Sequence, residues 1–222
     1  LVFVSNELAR APEFASFSPT RITIGNGIDL SRVEECAHRS LDGPPSLLFL
    51  GSSGVPWHGL DHLLALAQER PDWHFHIVGD LADKSVRSPN VFFHGSKDAR
   101  QIRALAGNVD LGVGPLGLYR KGMEEASPLK VRHYLALGLP VVGAYRDTDI
   151  DAACDYFLQI PNTAGGLSQS VDLIEDFARQ WRGLRVDPLR VQLIDAAKKE
   201  AMRLEFFHRV LDKSQLVNAD VC

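Results

Sequence analysis

The chain lacks any run of the ~18 apolar residues that a spanning helix needs, and it shows no basic start followed by a short apolar core. As written, it predicts a soluble protein. It also lacks a charge surplus: 24 Lys and Arg against 28 Asp and Glu leave a formal net charge of -4. That balance gives no overall attraction for nucleic acid or an anionic membrane. Cysteine is scarce, with Cys36, Cys154 and Cys222 far apart, odd in number and never in CxxC spacing. This excludes a disulfide framework and a cysteine zinc site, and points to a reducing, cytoplasmic compartment.

Several motifs are missing as well. There is no GxGxxG and no P-loop, so neither a dinucleotide fingerprint nor a Walker ATP site can be claimed. Without GxSxG there is no nucleophile elbow. The histidines do not make a metal centre. His74 and His76 alternate along a strand, His58 and His62 are four apart on an expected helix, and no HExxH is present. They read as surface or hydrogen-bonded side chains, and no metal or cofactor is expected.

What is present is a 45% hydrophobic composition, enough for a substantial core. The chain opens without methionine on the apolar run Leu1 to Val4, as if inside an element, and reads as part of a longer protein. Short apolar runs then alternate with helical periodicity. Strands are expected at "SLLFLG" (46–51), "HFHIVGD" (74–80), "VFFHG" (91–95), "VDLGVG" (109–114), "LPVVGA" (139–144) and "YFLQIP" (156–161). Helices are expected at "LDHLLALAQE" (60–69), "DARQIRALAG" (98–107), within "EEASPLKVRHYLALGLPVVG" (124–143), and near 168–181 and 189–211. Strands separated by helices mean βαβ crossovers: an α/β fold with a Rossmann-like parallel sheet flanked by helices. Ligands of such sheets bind where strands run out at their carboxyl ends. Residues 1–30, with Pro12, Pro19 and "GNG" at 25–27, read as a connector.

The segment 124–143 poses the sharpest question, because Lys130 stands in the first turn of a helix, where the macrodipole disfavours a cation. Ser127 is expected to cap, Pro128 to occupy the first helical position, and Gly138 with Pro140 to end the helix. Free N–H groups at 127–130 plus an ammonium make an anion site of the kind that binds phosphate. The alternative is that Lys130 points to solvent or pairs with Glu124 or Glu125. The glycine-rich turn "GSSGVPWHGLDH" (51–62) lets a ligand approach backbone, or is a plain turn with Trp57 covering the core. "VGD" (78–80), "HGSKD" (94–98) and the long loop 114–125 reach the same sheet edge. Together they favour a phosphorylated, polar ligand such as a nucleotide sugar.

Taken in order, these segments resemble the C-terminal, donor-binding half of GT-B glycosyltransferases of the GT4 type, also called group 1. The resemblance rests on "IGNGID" (24–29), "FLGSSGVPWHGLDHLL", "IVGD", "VFFHG" and "EEASPLKVRHYLALGLPVV", in uninterrupted order from Ile24 to Ala144. It implies that residues 1–30 are a remnant of an N-terminal half plus interdomain connector, and that 31–222 are the nucleotide-sugar-binding domain with its C-terminal helices. It implies a retaining transfer from a nucleotide-diphosphate sugar to an acceptor sugar, lipid or polysaccharide, in polysaccharide or glycolipid assembly. The acceptor would be held mainly by the N-terminal domain, so the chain alone would be inactive.

By resemblance, Glu125 lies near the donor sugar, Lys130 and a protonated His58 join the helix N-terminus at the diphosphate, and Gly51, Ser52, Gly59, Ser127, Pro128 and Leu129 line the site. Gly79, Gly95 and Lys97 would border the nucleobase. The sequence departs from the family pattern at His133, where a ribose-binding glutamate is expected and a neutral imidazole would still bind the donor through one hydrogen bond to ribose, and at Ser52 and His58, where Arg and Lys are expected. Those departures keep two other readings open: a nucleotide-sugar epimerase of GT-B architecture, or a non-catalytic nucleotide-sugar-binding or scaffold module. The segment 182–213 carries eight Arg and Lys against five Asp and Glu. It offers a weak contact with the inner membrane face, or else a solvated helix packed on the domain.

Overall fold

The structure is a computed structural model that describes residues 1–16, 20–34, 36, 43–80 and 88–219, with side chains as far as 212. The expectations placed on Pro19 and Cys222 lie outside the described residues. In chain order the elements are β1 (Val2–Phe3), α1 (Asn6–Ala9), β2 (Ile22–Thr23), β3 (Ser46–Leu50), α2 (Leu60–Glu69), β4 (His74–Val78), β5 (Val91–Phe93), α3 (Ala99–Ala106) and β6 (Leu111–Val113). There follow β7 (Glu125–Ala126), α4 (Leu129–Ala136), β8 (Val141–Gly143), β9 (Arg146–Asp147), β10 (Phe157–Gln159), α5 (Val171–Trp181) and α6 (Ala196–Ala219).

Six strands form one parallel sheet in the order β10-β8-β6-β3-β4-β5. Leu47, Leu48 and Phe49 are buried in succession, which requires cover on both faces and explains why β3 reads as an unbroken apolar run. α2 turns Leu63, Leu64, Leu66 and Ala67 inward, and α4 turns in Val131, Tyr134 and Leu135. Each such leucine contributes roughly 1.5–3 kcal/mol on full burial. The amide of the buried Asn90 donates to the Ala67, Arg70 and Trp73 carbonyls, satisfying the end of α2 ahead of β4.

Strand order fixes where a ligand can sit. From β3 the chain winds outward to β4 and β5, then returns to β6 on the other side of β3 and continues through β8 to β10. The winding reverses between β3 and β6, so their following loops diverge and leave a crevice at the carboxyl ends.

All six expected strands are present, and α2 occupies 60–69 as the sequence implied. Three local expectations are corrected. His58 ends a 3-10 turn, Pro56–His58, while His62 lies on α2, so the two do not share a helix. The last helix does not start near Leu189: Val191 is non-helical, and Asp195 is extended because it bridges Ile28, so α6 begins at Ala196. Ser127 does not cap α4, for reasons given below. Within 1–30, β1 pairs in parallel with β2, and α1 docks on β7. Among the described residues no helix is long and apolar enough to cross a membrane.

Candidate functional site

A cleft of about 570 Å³ opens at the β3/β6 reversal. It is lined from three directions: Leu50 to Ser52, Trp57 and His58 after β3; Pro115, Leu118, Lys121 and Met123 after β6; and Ala126 to Lys130 at the start of α4, with Asn26 beside them. Close backbone contact holds its floor. Gly79 has φ +134, and a Cβ there would stand 2.0 Å from the Gly51 carbonyl, so only glycine lets the ends of β3 and β4 meet.

The start of α4 is held by a buried polar network. Arg132, with no exposed surface, donates to Asp147 at 2.7 and 2.9 Å, to Asp149 at 2.8 Å, to the Ser127 hydroxyl at 2.6 Å and to the Asn26 carbonyl at 3.0 Å. Lys199 from α6 completes the pair on Asp149. Ser127 Oγ also accepts the Asn26 N–H at 2.7 Å, so this oxygen is committed to the network and Pro128 takes the capping position without a side-chain bond. The Leu129 and Lys130 N–H groups open the helix with no partner among the described residues and face the cleft end.

Lys130 resolves its own puzzle. It pairs with neither Glu124 nor Glu125. Its Nζ donates to the Leu50 carbonyl at 3.1 Å and lies 4.3 Å from the centre of the Phe49 ring. The Tyr134 hydroxyl accepts the Leu50 N–H at 2.6 Å, so α4 grips the end of β3 at two points. Burial lowers the Lys130 ammonium to about 7, because desolvation disfavours its charged form. His58 falls to about 4, through burial and the neighbouring Lys130, so it is neutral at physiological pH and not the protonated partner expected from the sequence. Its Nδ1 is buried without a hydrogen-bond partner among the described residues.

Of the residues singled out in the sequence, the cleft gathers Gly51, Ser52, His58, Ser127, Pro128, Leu129 and Lys130. Gly59 starts α2 in the left-handed region, where a Cβ would come within 2.6 Å of Leu116. Gly79, Gly95 and Lys97 stand beyond the ends of β4 and β5, with the Gly79 N–H donating to the Gly95 carbonyl at 3.0 Å, outside the cleft lining. His133 lines a separate cavity of about 220 Å³ with Arg32, Arg100 and Arg103, and burial holds its imidazole below the usual range.

Glu125 is buried, and its carboxylate faces away from the cleft lining toward α1. It accepts from the Asn6 N–H at 3.0 Å, the Asn6 side-chain amide at 2.9 Å and the Glu7 N–H at 3.2 Å. Glu7 reciprocates by accepting the Glu124 and Glu125 N–H groups at 2.9 and 2.8 Å. Burial pushes the Glu125 carboxyl up, but these donors and Arg146 outweigh it and hold it below the ordinary value. Asn26, Lys121 and the clamp of Arg132 escaped the sequence reading. Only "GNG" and the length of the 114–125 loop hinted at the first two.

The family model for group 1 glycosyl transferases matches residues 44–184, well over half of the chain and all six strands of the sheet. The chain belongs to this family. The chain is 29% identical over 135 residues to a Bacillus subtilis (strain 168) protein assigned as the teichuronic acid biosynthesis glycosyltransferase TuaH. The match covers 54% of the chain and 33% of that relative. Among solved structures it resembles the lipopolysaccharide outer core galactosyltransferase WaaB in its apo form, with TM-score 0.68 at 13% identity, covering 96% of the chain and 61% of that protein. It also resembles Anabaena Alr3699/HepE in complex with UDP-glucose, with TM-score 0.62 at 16% identity, covering 94% and 63%. A third likeness is sucrose-phosphate synthase from Thermosynechococcus elongatus, with TM-score 0.61 at 16% identity, covering 96% and 58%. These likenesses establish the GT-B fold. The chain spans a third of its curated relative and about six tenths of the solved neighbours.

Proposed function

We propose that the cleft binds the diphosphate of a nucleotide-diphosphate sugar and that the chain is the donor-binding domain of a retaining glycosyltransferase in polysaccharide or glycolipid assembly. The observation that carries this is Lys130: an ammonium with no carboxylate partner among the described residues, set beside the two N–H groups that open α4 without a partner among them, inside the crevice where the sheet reverses. An anion there meets the dipole and the charge together. The acceptor is held mainly by an N-terminal domain outside this chain, in keeping with the share of its solved neighbours that the chain spans.

Transfer breaks the bond between the anomeric carbon and the terminal phosphate oxygen, and negative charge grows on the departing diphosphate. The start of α4 is fixed before the reaction by Arg132 and Ser127, and Lys130 by the Leu50 carbonyl, so they stabilise that charge without reorganising. The acceptor hydroxyl gives its proton to the departing phosphate as the new glycosidic bond forms on the same face. Neutral His58 and Ser52 supply hydrogen bonds at the positions where the family pattern implied by the resemblance has cations.

Isothermal titration of the chain with UDP, GDP and ADP, and with their sugars, tests the reading. One base should give saturable heat with the sugar nucleotide. Absence of heat with all of them contradicts donor binding and favours a scaffold role.

A further inference from the structure

The cleft is short of positive charge for a diphosphate. The β3–α2 turn contributes a neutral His58 and an uncharged Ser52, and burial leaves Lys130 only partly charged at neutral pH. One further lysine lines it: Lys121, at the end of the 3-10 turn Leu118–Lys121 on the long loop after β6. Among the described residues no carboxylate pairs with it. Its ammonium rests 4.3 Å from the centre of the Trp57 ring, another wall of the cleft.

The loop around it is firmly tied. Asn162 accepts the Tyr119 N–H at 2.8 Å and donates to the Met123 carbonyl at 2.8 Å; the Leu116 and Gly117 N–H groups reach the His58 and Trp57 carbonyls at 3.2 Å. Arg120, next in line, is spent on the Asp61 carboxylate and the Pro56 carbonyl. The backbone is therefore placed, its neighbouring cation is occupied, and among the described residues Lys121 is held by a ring face alone. An exposed cation–ring contact is worth ~0.5–1 kcal/mol, little enough to exchange for a phosphate.

We propose that Lys121 is the second diphosphate-binding cation of this protein, moving from the Trp57 face onto the ligand and supplying from the β6 loop the charge that the β3–α2 turn lacks. This rests on the proposed donor reading and adds a residue to it. Trp57 then serves as the resting place of the ammonium, and binding uncovers its ring.

The test uses the full chain with inorganic pyrophosphate, UDP, GDP and ADP as probes, and follows both calorimetric heat and tryptophan fluorescence. Lys121→Ala should weaken pyrophosphate and the preferred nucleoside diphosphate about tenfold, as expected for one charged hydrogen bond. It should leave the matching nucleoside unaffected, and Lys121→Arg should recover most of the loss. Trp57 emission should change on binding in the parent chain and not in Lys121→Ala. Unchanged diphosphate affinity in Lys121→Ala, with loss in Lys130→Ala, overturns the role of Lys121 and leaves the donor reading standing. Equal loss for nucleoside and diphosphate, or no recovery with Arg, also overturns it. If the parent chain binds none of the probes, the donor reading itself falls.

Discussion

If Lys130 meets a diphosphate, donor binding must take up a proton. Burial holds the Lys130 ammonium at about 7, against an ordinary lysine value of ~10.4. An anion at hydrogen-bond distance favours the charged form and brings the value back toward ordinary. At pH 8 about nine tenths of Lys130 is then neutral before binding and nearly all is charged afterwards, an uptake of about 0.9 proton per donor. Affinity should fall about a hundredfold between pH 6 and pH 9, ~2.7 kcal/mol. The donor must be a sugar nucleotide, because a free terminal phosphate titrates at ~6 and obscures the effect. His58, at about 4, and Tyr134, raised far above its usual range by burial, stay silent in this window. Proton uptake is read by calorimetry in buffers of different ionisation enthalpy. Lys130→Met should abolish both the uptake and the slope; uptake at pH 8 no larger in the parent than in that variant refutes the reasoning. The same shift acts on stability. A folded value below the unfolded one means that the folded state binds fewer protons between about pH 7 and 10. Stability rises with pH through that window, and the cost of the buried ammonium is fully present below it. Lys130→Met should therefore stabilise the fold by about 1–2 kcal/mol at pH 6, discounting for partial exposure, with the gain vanishing toward pH 10.

Other substitutions probe the frame. Gly79→Ala places a Cβ against the Gly51 carbonyl at a positive φ and should cost about 2–3 kcal/mol or prevent folding, read by urea denaturation. Arg132→Met leaves Asp147 and Asp149 facing a lost cation and should cost about 3–5 kcal/mol by the same measurement, in spite of the apolar replacement. Glu125→Gln weakens the docking of α1 and should lower stability by about 1–2 kcal/mol while leaving nucleotide affinity unchanged; a selective loss of sugar-nucleotide affinity would instead place Glu125 at the donor sugar.

The sheet was legible because burial on both faces writes itself into local sequence. "SLLFL" and "LPVVG" are apolar without alternation, and α2 is bounded by Gly59 and Pro71. The start of α4 was legible to within a residue for a similar reason, since proline and small residues announce a helix start. Side-chain partners joined across the chain were not. Ser127 read as a cap because its local pattern suits one, yet Asn26 and Arg132 claim its hydroxyl. Nothing near Glu125 in sequence announces Asn6 and Glu7, more than 115 positions away, as its partners. His58 looked like a usable cation until burial beside Lys130 made it neutral. Lys121 sat in a loop flagged only for its length, and its place in the cleft depends on Asn162 and Arg120 fixing that loop.

The most direct measurement is a crystal structure of the chain with the sugar nucleotide, or its nucleoside diphosphate, that titration selects. The account predicts the diphosphate in the β3/β6 crevice, with its oxygens within hydrogen-bond distance of the Leu129 and Lys130 N–H groups and of Lys130 Nζ. A nucleotide bound elsewhere on the chain, with the start of α4 bare, contradicts it.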